Sequence, residues 1–343
     1  MNDAMTIGAD IAKNTFFVVG LDAQGKRVLR KKLSRRKFLE FFANRPACRV
    51  AMEACGGAHH WGRRLEAMGH EVLLLPAQHV KAYARGQKND YNDAEAIAEA
   101  ALHGRIRPVR IKTLDEQDMQ VLLRIRRRLD KDITALVNHL RGLLQEYGEV
   151  IPRGKGAFLR AVPELLEDAE NGLTPRMREE LAHGWQHLQN LEAEMARVQT
   201  ELARMANEHE LCRRLMELPG VAYRTAPLLL AHLGDGSRFR RGREAAAALG
   251  VVPSQHSTGG KTTLGPITKA GDPYLRSRLV QGVRSAVQNV GDKTDPLSRW
   301  IRRLLDRVGF HKTVVALVNK IVRIAWAMVR RGTEYDTKLA AHA

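Results

Sequence analysis

Short apolar stretches alternate with amphipathic ones over the first third of the chain. The short stretches are typical of strands, and the longer ones, with apolar residues three and four apart, are typical of helices. The predicted elements are strands at Met5–Asp10, Thr15–Asp22 and Arg27–Leu33, a helix at Ser34–Asn44, a strand at Arg49–Glu53, a helix at His59–Met68, a strand at Glu71–Pro76 and a helix at Asp90–Leu102.

Three strands in direct succession, followed by alternating helices and strands, is the order of an RNase H-like α/β fold. We therefore predict an RNase H-like domain at residues 1–108. In such a sheet the first and fourth strands are neighbours.

Two heptad runs follow this region. The first lies within 113–147 and the second within 181–205, and residues 148–175, rich in Pro and Gly, predict a connector with one short helix. The runs predict either an antiparallel coiled coil, in one chain or with a second subunit, or an ordinary helical core, in a middle domain at 109–210. The first seam is Leu122, Leu129, Leu136 and Leu143 with Ile133 and Leu140; the second is Leu181, Leu188, Met195 and Leu202 with Leu191, Val198 and Met205.

The rest of the chain predicts a compact, mostly helical domain at 211–332 and a tail at 333–343. Around Leu218, the sequence LMELPGVAYRTAPLLLAHLG predicts a helix-hairpin-helix-like element, or a plain turn between helices, since Ala222 replaces the second hairpin glycine. A Gly/Ser/Thr-rich loop is predicted at Pro253–Asp272. The predicted helices are Glu244–Val251, Pro273–Val290, Pro296–Val308 and Thr313–Arg331.

The charge of the chain indicates what kind of partner it binds. The chain of 343 residues carries 56 Lys and Arg against 38 Asp and Glu, a net charge of +18. From Leu211 onward 23 basic residues stand against 9 acidic ones, so the excess lies mainly in the last domain. Such asymmetry indicates a polyanionic partner, and nucleic acid is the default. Arg124 and Arg126–Arg128 form a basic stripe that either contacts RNA or is simply solvated.

The surroundings of the protein are also predicted. No apolar run approaches the ~20 residues of a membrane span, and the first residues do not have the pattern of a signal peptide. The three cysteines form no CxxC pair, so we expect a cytoplasmic protein with reduced cysteines that has no membrane partner. His59 and His60 have no suitably spaced cysteine, and we interpret them as surface histidines rather than zinc ligands.

Four carboxylates interrupt the apolar pattern. Asp10 and Glu53 end the first and fourth predicted strands, which are neighbours in an RNase H-like sheet. Asp90 and Asp93, in KNDYNDAEAI, are three apart at a helix start and therefore share one face. Four converging carboxylates repel one another unless cations neutralise them, and hard oxygen ligands suit Mg²⁺ or Mn²⁺. Two such ions can clamp the attacking and leaving oxygens of a phosphodiester.

Hydroxyl groups cluster in the basic region, in VVPSQHSTGGKTTLGPITKAGDPYLR. Gln255 stands where a Walker A loop requires glycine. The loop either binds phosphate without chemistry or supplies a nucleophile, activated by His256 or by a metal site elsewhere. Ser257 and Thr258 precede Gly259.

These motifs, in this order, are similar to one family. GADIAK, AMEACGGAHHWGRRL, KNDYNDAEAI, LPGV and the serine block span about 330 residues and resemble the DEDD-type insertion-sequence transposases, which include the Piv/MooV invertases and bridge-RNA-guided recombinases. The resemblance implies a RuvC-like domain, a coiled-coil insertion and a C-terminal serine domain. It implies Asp10, Glu53, Asp90 and Asp93 as Mg²⁺ ligands.

The resemblance also implies a catalytic serine just before the glycine. Thr258 occupies that position here, but related sequences often read His-Ser-Ser-Gly-Gly, so Ser257 is the expected nucleophile and Thr258 the alternative. The implied activity is a site-specific DNA recombinase acting through a covalent phosphoserine, with a noncoding bridge RNA that pairs with DNA. A homodimer, assembling into a tetramer in the synapse, is expected.

Two other functions are open from the residues. A RuvC-like structure-specific endonuclease would need only the carboxylates and water. A non-catalytic, basic nucleic-acid-binding protein would need neither the carboxylates nor the serine.

Overall fold

The computed structural model describes residues 5–87, 89–103 and 106–336. The chain divides into two compact units. One comprises Met1–Thr113 with Leu233–Arg240, and the other comprises Leu114–His232 with Arg241–Ala343. The three-domain division with boundaries at 108 and 210 stays a prediction, and most of the predicted tail lies outside the described residues.

A five-stranded sheet forms the centre of the first unit. Its strands are β1 (Thr6–Ile11), β2 (Thr15–Leu21), β3 (Arg27–Ser34), β4 (Arg49–Glu53) and β5 (Glu71–Leu75), in the order β3-β2-β1-β4-β5. The first three strands are antiparallel, whereas β4 runs parallel to both β1 and β5. The prediction that the first and fourth strands are neighbours is confirmed.

Strand alternation divides the core of this unit into two layers. Ile7, Ala9, Val18, Val50 and Met52 face a layer that contains aromatic residues of α1 (Arg35–Ala43) and α2 (Ala58–Glu66). The intervening strand residues face the opposite layer, which contains small residues of α4 (Asp90–Leu102). The predicted mixed α/β region is therefore confirmed. The short helix α3 (Ala77–Val80) and the 3₁₀ turn Lys81–Tyr83 were not predicted.

Helix α4 lies unusually close to β1. Gly8 faces the helix, and a Cβ atom built there would lie 2.5 Å from the Ala98 backbone nitrogen and closer still to the Ala94 carbonyl oxygen. Ala94 and Ala98 are fully buried. Only glycine on the strand and small residues on the helix permit this contact, which positions the beginning of α4 beside the end of β1.

Two long helices and a short one share the main core of the second unit. They are α5 (Leu114–Glu146), α6 (Lys155–Glu167) and α7 (Pro175–Glu208), and all three were predicted. The seam expected on α7 is buried at Leu181, Leu188, Met195 and Leu202. The seam expected on α5 is only partly buried, and its last residue, Leu143, is 36% exposed. The buried stripe of α5 within this core is Leu129, Ile133, Val137, Leu140 and Leu144, so the predicted seam is buried at Leu129, Ile133 and Leu140 and differs at its other positions. Pairing as a coiled coil stays a prediction.

Further helices, of 6 to 22 residues, and a hairpin complete the described chain. The helices are α8 (Glu210–Leu215), α9 (Ala226–Leu233), α10 (Gly242–Leu249), α11 (Pro273–Gln288), α12 (Pro296–Val308) and α13 (Phe310–Arg331). In the LPG turn between α8 and α9, Gly220 has φ +79° and contacts the backbone of Gly282 in α11. No helix within the described ranges is long and apolar enough to cross a membrane.

The loop expected at Pro253–Asp272 is wrong for most of its length. Residues Pro253–Thr258 form β6 and Lys261–Ile267 form β7, paired as an antiparallel hairpin. Gly259 and Gly260 have φ of 55° and 78°. A two-residue turn with positive φ at both positions matches the twist of antiparallel strands, so Gly-Gly acts here as a hairpin signal rather than as a marker of an irregular loop.

Candidate functional site

The carboxylates of the two strands face the same side of the sheet. Asp10 follows Gly8 on β1 with period two, and Glu53 follows Ala51 on β4, so both project toward the layer of α4. Ala9 pairs with Met52 in parallel register, one residue before each carboxylate. The parallel pairing therefore brings the ends of β1 and β4 to one edge.

The first turn of α4 supplies the other two carboxylates. The Asn89 side chain caps the helix by accepting a hydrogen bond from the Tyr91 backbone N–H at 2.9 Å, so Asp90 and Asp93 both lie in the first turn. One carboxylate oxygen each of Asp10, Asp90 and Asp93 lies within 4.8 Å of the other two. Glu53 lies outside this group of three but faces the same space.

The charges of these groups interact strongly. Burial, followed by the negative charges of Asp93, Asp90 and Glu53, raises the pKa of Asp10 from 3.8 to about 6. Burial and the charge of Asp93 also raise the pKa of Glu53. The site thus disfavours its own ionisation in the absence of a cation.

A cavity of about 270 Å³ opens beside these residues. Asp10, Glu53 and Asp93 line it together with the small side chains Ala77, Ala84 and Ala96, and with Val80 and Lys81. Lys81 was not singled out from the sequence, because the turn that carries it, between β5 and α4, has no pattern of its own. Lys81, the one cation among the described residues that line this acidic cavity, is suited to contact a phosphate held there.

The donor set suits a hard divalent cation. Three carboxylate oxygens at this spacing, with a fourth carboxylate nearby, are ligands that Mg²⁺ and Mn²⁺ accept. Within the described ranges no other group of three or more His, Cys, Asp or Glu side chains is placed to hold an ion. His59 instead contacts Lys112, whose backbone N–H donates to His59 Nδ1 at 3.2 Å.

The predicted serine lies near the tip of the β6–β7 hairpin. Ser257 pairs with Thr262 and is exposed. Its Oγ accepts a hydrogen bond from Gln255 Nε2 at 2.8 Å and lies 3.3 Å from Thr262 Oγ1. Gln255 and Thr262, which the sequence reasoning did not select, therefore orient this hydroxyl.

The hairpin separates the two candidate hydroxyls. Thr258 pairs with Lys261, and His256 pairs with Thr263, one residue out of phase with Ser257. Because successive side chains on a strand point to opposite faces, Thr258 and His256 project from the other face. His256 is therefore poorly placed to take a proton from Ser257, which contradicts its interpretation as a local base.

Basic residues near the hairpin and on α5 make contacts within the protein. Arg276 braces the base of the hairpin region by donating to the carbonyls of Leu249 and Ala270 at 2.9 and 2.7 Å. In the α5 stripe, Arg126 is only 3% exposed and donates to the Tyr274 hydroxyl at 3.1 Å. The stripe is thus neither wholly solvated nor wholly available to RNA.

A converging set of carboxylates on an α/β sheet, followed by a basic, mostly helical region, is the arrangement of a DNA-cleaving insertion-sequence transposase. Comparison with known proteins supports this class. Residues 7–149 match a family model for the DEDD transposases of IS110, described as Transposase, and residues 212–296 match the model described as Transposase IS116/IS110/IS902 family.

The chain belongs to the IS116/IS110/IS902 family of transposases. It is 42% identical over 335 residues to the transposase for insertion sequence element IS1111A of Coxiella burnetii, covering 98% of this chain and 92% of that relative. It is 42% identical over 330 residues to a probable family 20 transposase of Pseudomonas aeruginosa, covering 96% and 98%. It is 36% identical over 338 residues to the transposase for IS1328 of Yersinia enterocolitica, covering 98% and 100%.

Proposed function

We propose that the chain is a Mg²⁺-dependent, site-specific DNA recombinase that moves its own insertion sequence through a covalent phosphoserine intermediate. The observation that carries this proposal is the convergence of Asp10, Asp90 and Asp93 within 4.8 Å, with Glu53 facing the same cavity. Membership of a transposase family supplies the substrate, DNA, and the class of activity, which is DNA cleavage and strand transfer.

The acidic residues have a defined role in this proposal. Asp10, Glu53, Asp90 and Asp93 hold the divalent cation in a RuvC-like domain. When bound, Mg²⁺ (or Mn²⁺) polarises a scissile phosphate and stabilises charge on the oxygens that attack and leave. Lys81, at the rim of the cavity, positions the same phosphate by its charge.

Ser257 is the proposed nucleophile. Its Oγ forms a bond to phosphorus while the bond from phosphorus to the 3′-oxygen breaks, and the proton lost by the serine balances the proton gained by the leaving 3′-oxygen. A 3′-hydroxyl of a second strand then attacks the phosphoserine and restores the serine. One ester bond forms for each that breaks, so no nucleotide hydrolysis is required. The bond from Gln255 supports Ser257 over Thr258, because it holds that hydroxyl in one orientation.

The experiment that tests this proposal is trapping of a protein–DNA adduct on the element's own end sequence. The wild type and Thr258→Ala are expected to give a Mg²⁺-dependent adduct, and Ser257→Ala and Asp10→Asn none, while all four bind DNA. Adduct loss in Thr258→Ala alone would move the nucleophile to Thr258. Strand cleavage that persists in Ser257→Ala would identify a RuvC-like endonuclease that uses water.

A noncoding bridge RNA is the second proposed partner. The chain carries a net charge of +18, concentrated after Leu211, and only 5% of its residues are aromatic. These features favour contacts to nucleic-acid backbones over stacking on bases, so base pairing with an RNA would supply the sequence specificity. Copurification of a discrete RNA transcribed from the element, and loss of recombination when that RNA is omitted, is the expected result. Full recombination without RNA would refute this part.

A homodimer that pairs into a tetramer is proposed for the synapse. Leu114, Val121 and Ile125 on α5 are 63%, 45% and 37% exposed, and their spacing of seven and four places them on one helix face. An apolar face of this kind supports self-association along α5. Light scattering is expected to give a dimer for the wild type and a monomer for Val121→Lys with Ile125→Lys, whereas a monomeric wild type would contradict the assignment.

A further inference from the structure

A second, larger cavity lies in the second unit. Its volume is about 850 Å³, and no Asp or Glu occurs among the described residues that line it. Residues of β6, β7, α12 and α13, and Val251 just before β6, form its wall. The lining residues are Val251, Pro253, Gly265, Pro266, Ile267, Trp300, His311, Lys312, Val315, Ala316, Asn319, Lys320 and Arg323.

One face of α13 supplies the basic part of this wall. Lys312, Ala316, Lys320 and Arg323 recur at spacings of four, four and three, so they lie above one another over three turns of the helix. Lys312 is in the first turn, which contains no acidic residue, so its charge adds to the positive end of the helix dipole.

Lys320 is the most buried cation of the cavity. Its side chain is 5% exposed, and its Nζ lies 4.9 Å from the centre of the Trp300 ring. Burial, and then the charge of Arg323, lowers the pKa of Lys320. Arg243 adds a third positive charge near Arg323. An anion in the cavity would relieve this accumulation of like charges.

Most of the rest of the wall is apolar, and it includes residues of both strands of the β6–β7 hairpin. Pro253 begins β6, the strand that carries Ser257, and Pro266 and Ile267 end β7. Asn319 Nδ2 donates to the Val251 carbonyl at 3.2 Å, which fixes an amide group at the same wall. Apolar surface, one fixed amide and several cations are the groups that bind the base and the phosphate of a nucleotide.

We infer that this cavity binds one unpaired nucleotide of a DNA strand, with its base against the apolar wall and its phosphates against the face of α13. The volume exceeds that of a single ion and is typical of small-molecule sites. The inference rests on the proposed function only in the choice of DNA as the ligand. It assigns to the base of the hairpin a binding site that is separate in its residues from the carboxylate site.

Fluorescence of the full-length protein tests the inference directly, because Trp300 lies in the cavity wall. The Trp300 signal is obtained as the difference between the wild type and Trp300→Phe. A short single-stranded oligodeoxynucleotide is expected to quench it. An abasic deoxyribose phosphate strand of the same length, which keeps the charges and lacks the bases, is expected to quench it far less. Equal quenching by both strands, or none by either, would overturn the inference.

Variants separate the cavity from the rest of the basic surface. Lys320→Gln is expected to weaken oligonucleotide binding about tenfold, since it removes one buried phosphate contact. Lys131→Gln, the same change at an exposed position on α5, is expected to weaken it less than twofold. Ala316→Phe fills the cavity without changing charge and must also weaken binding, and circular dichroism verifies that each variant folds. Unchanged affinity in folded Ala316→Phe refutes the site.

Two further measurements separate this test from the proposed Ser257 reaction and from RNA binding. All measurements are repeated in Ser257→Ala, where quenching is expected to be unchanged because binding needs no nucleophile. The cavity result would therefore remain valid if the adduct experiment failed. A failure of the cavity experiment would likewise leave the adduct result valid. An oligoribonucleotide that quenches Trp300 at lower concentration than the DNA strand would contradict DNA as the ligand.

Discussion

Replacing Asp10 by asparagine is expected to stabilise the metal-free protein. The side chain keeps its size, but one of four mutually repelling negative charges is removed. The pKa of Asp10 is raised from 3.8 to about 6, so ionising this carboxyl is harder in the folded chain than in the unfolded one. The sign follows from linkage: as pH rises from about 4 through 6, the folded state loses stability, and above that window the loss is constant.

The size of the stabilisation follows from the pKa shift of Asp10. A displacement from 3.8 to about 6 corresponds to about 3 kcal/mol at 1.36 kcal/mol per pH unit. The carboxyl is only half-buried, and solvent screening reduces this to about 1.5 kcal/mol. For a chain of this length, 1 kcal/mol shifts the melting temperature by roughly 2 °C. Asp10→Asn is therefore expected to melt about 3 °C higher than the wild type at pH 7.5 in EDTA.

Thermal melts at two pH values and with two additives complete the test. At pH 5 the difference between the two proteins is expected to fall to about half, because Asp10 is largely protonated in the folded chain but still ionised in the unfolded one, and it vanishes only well below pH 3.8. Mg²⁺ at 100 times its dissociation constant is expected to stabilise the wild type by about 2.7 kcal/mol and the variant much less. A variant that melts lower than the wild type in EDTA at pH 7.5, or gains equally from Mg²⁺, would refute the burial of Asp10 among repelling carboxylates as the basis of the site.

Three further predictions concern the framework of the site and the second unit. Gly8→Ala is expected to push α4 away from β1, and this overpacking is expected to lower the free energy of unfolding by about 1–3 kcal/mol. A displacement near 1 Å is expected to reduce the cleavage rate about 100-fold. A cleavage rate within twofold of wild type would contradict the close contact. Lys81→Ala is expected to reduce cleavage about tenfold with unchanged stabilisation by Mg²⁺, measured by the same melts; loss of the Mg²⁺ effect would make it part of the metal site. Arg126→Met replaces a buried charge that makes no ion pair within the described chain. We expect the variant to have a melting temperature equal to or above that of the wild type. A fall of several degrees would show that the hydrogen bond from Arg126 to Tyr274 is structurally essential.

The sequence was sufficient to predict most of the first unit. Its strands are short and strongly patterned, and Arg49–Glu53 and Asp90–Leu102 were predicted with the bounds that the structure has. Two carboxylates at strand ends and two at a helix start interrupt apolar patterns, which is why they could be selected without coordinates. The close contact at Gly8 was missed, because a single glycine in a strand does not reveal what approaches it.

The second unit was less predictable for physical reasons. The predicted α5 seam is buried at Leu129, Ile133 and Leu140 but not fully at Leu122, Leu136 and Leu143, because α6 also packs on α5 and the buried stripe turns toward both neighbours. The Gly/Ser/Thr-rich segment was interpreted as a loop because its exposed strands have no apolar alternation, although Gly259-Gly260 is a hairpin turn. The orienting role of Gln255 and the position of Lys81 were not predicted, because a side-chain hydrogen bond and a short turn leave no periodic signal in the sequence.

The contact of α4 with β1 has a consequence for engineering this enzyme. Main chain meets main chain at residue 8, so the gap between the strand that bears Asp10 and the helix that bears Asp93 does not depend on how longer side chains repack. Exchanging carboxylates for other ligands would tune charge and hardness at a constant spacing. A change in the size of the ion proposed for this pocket would have to begin at the glycine.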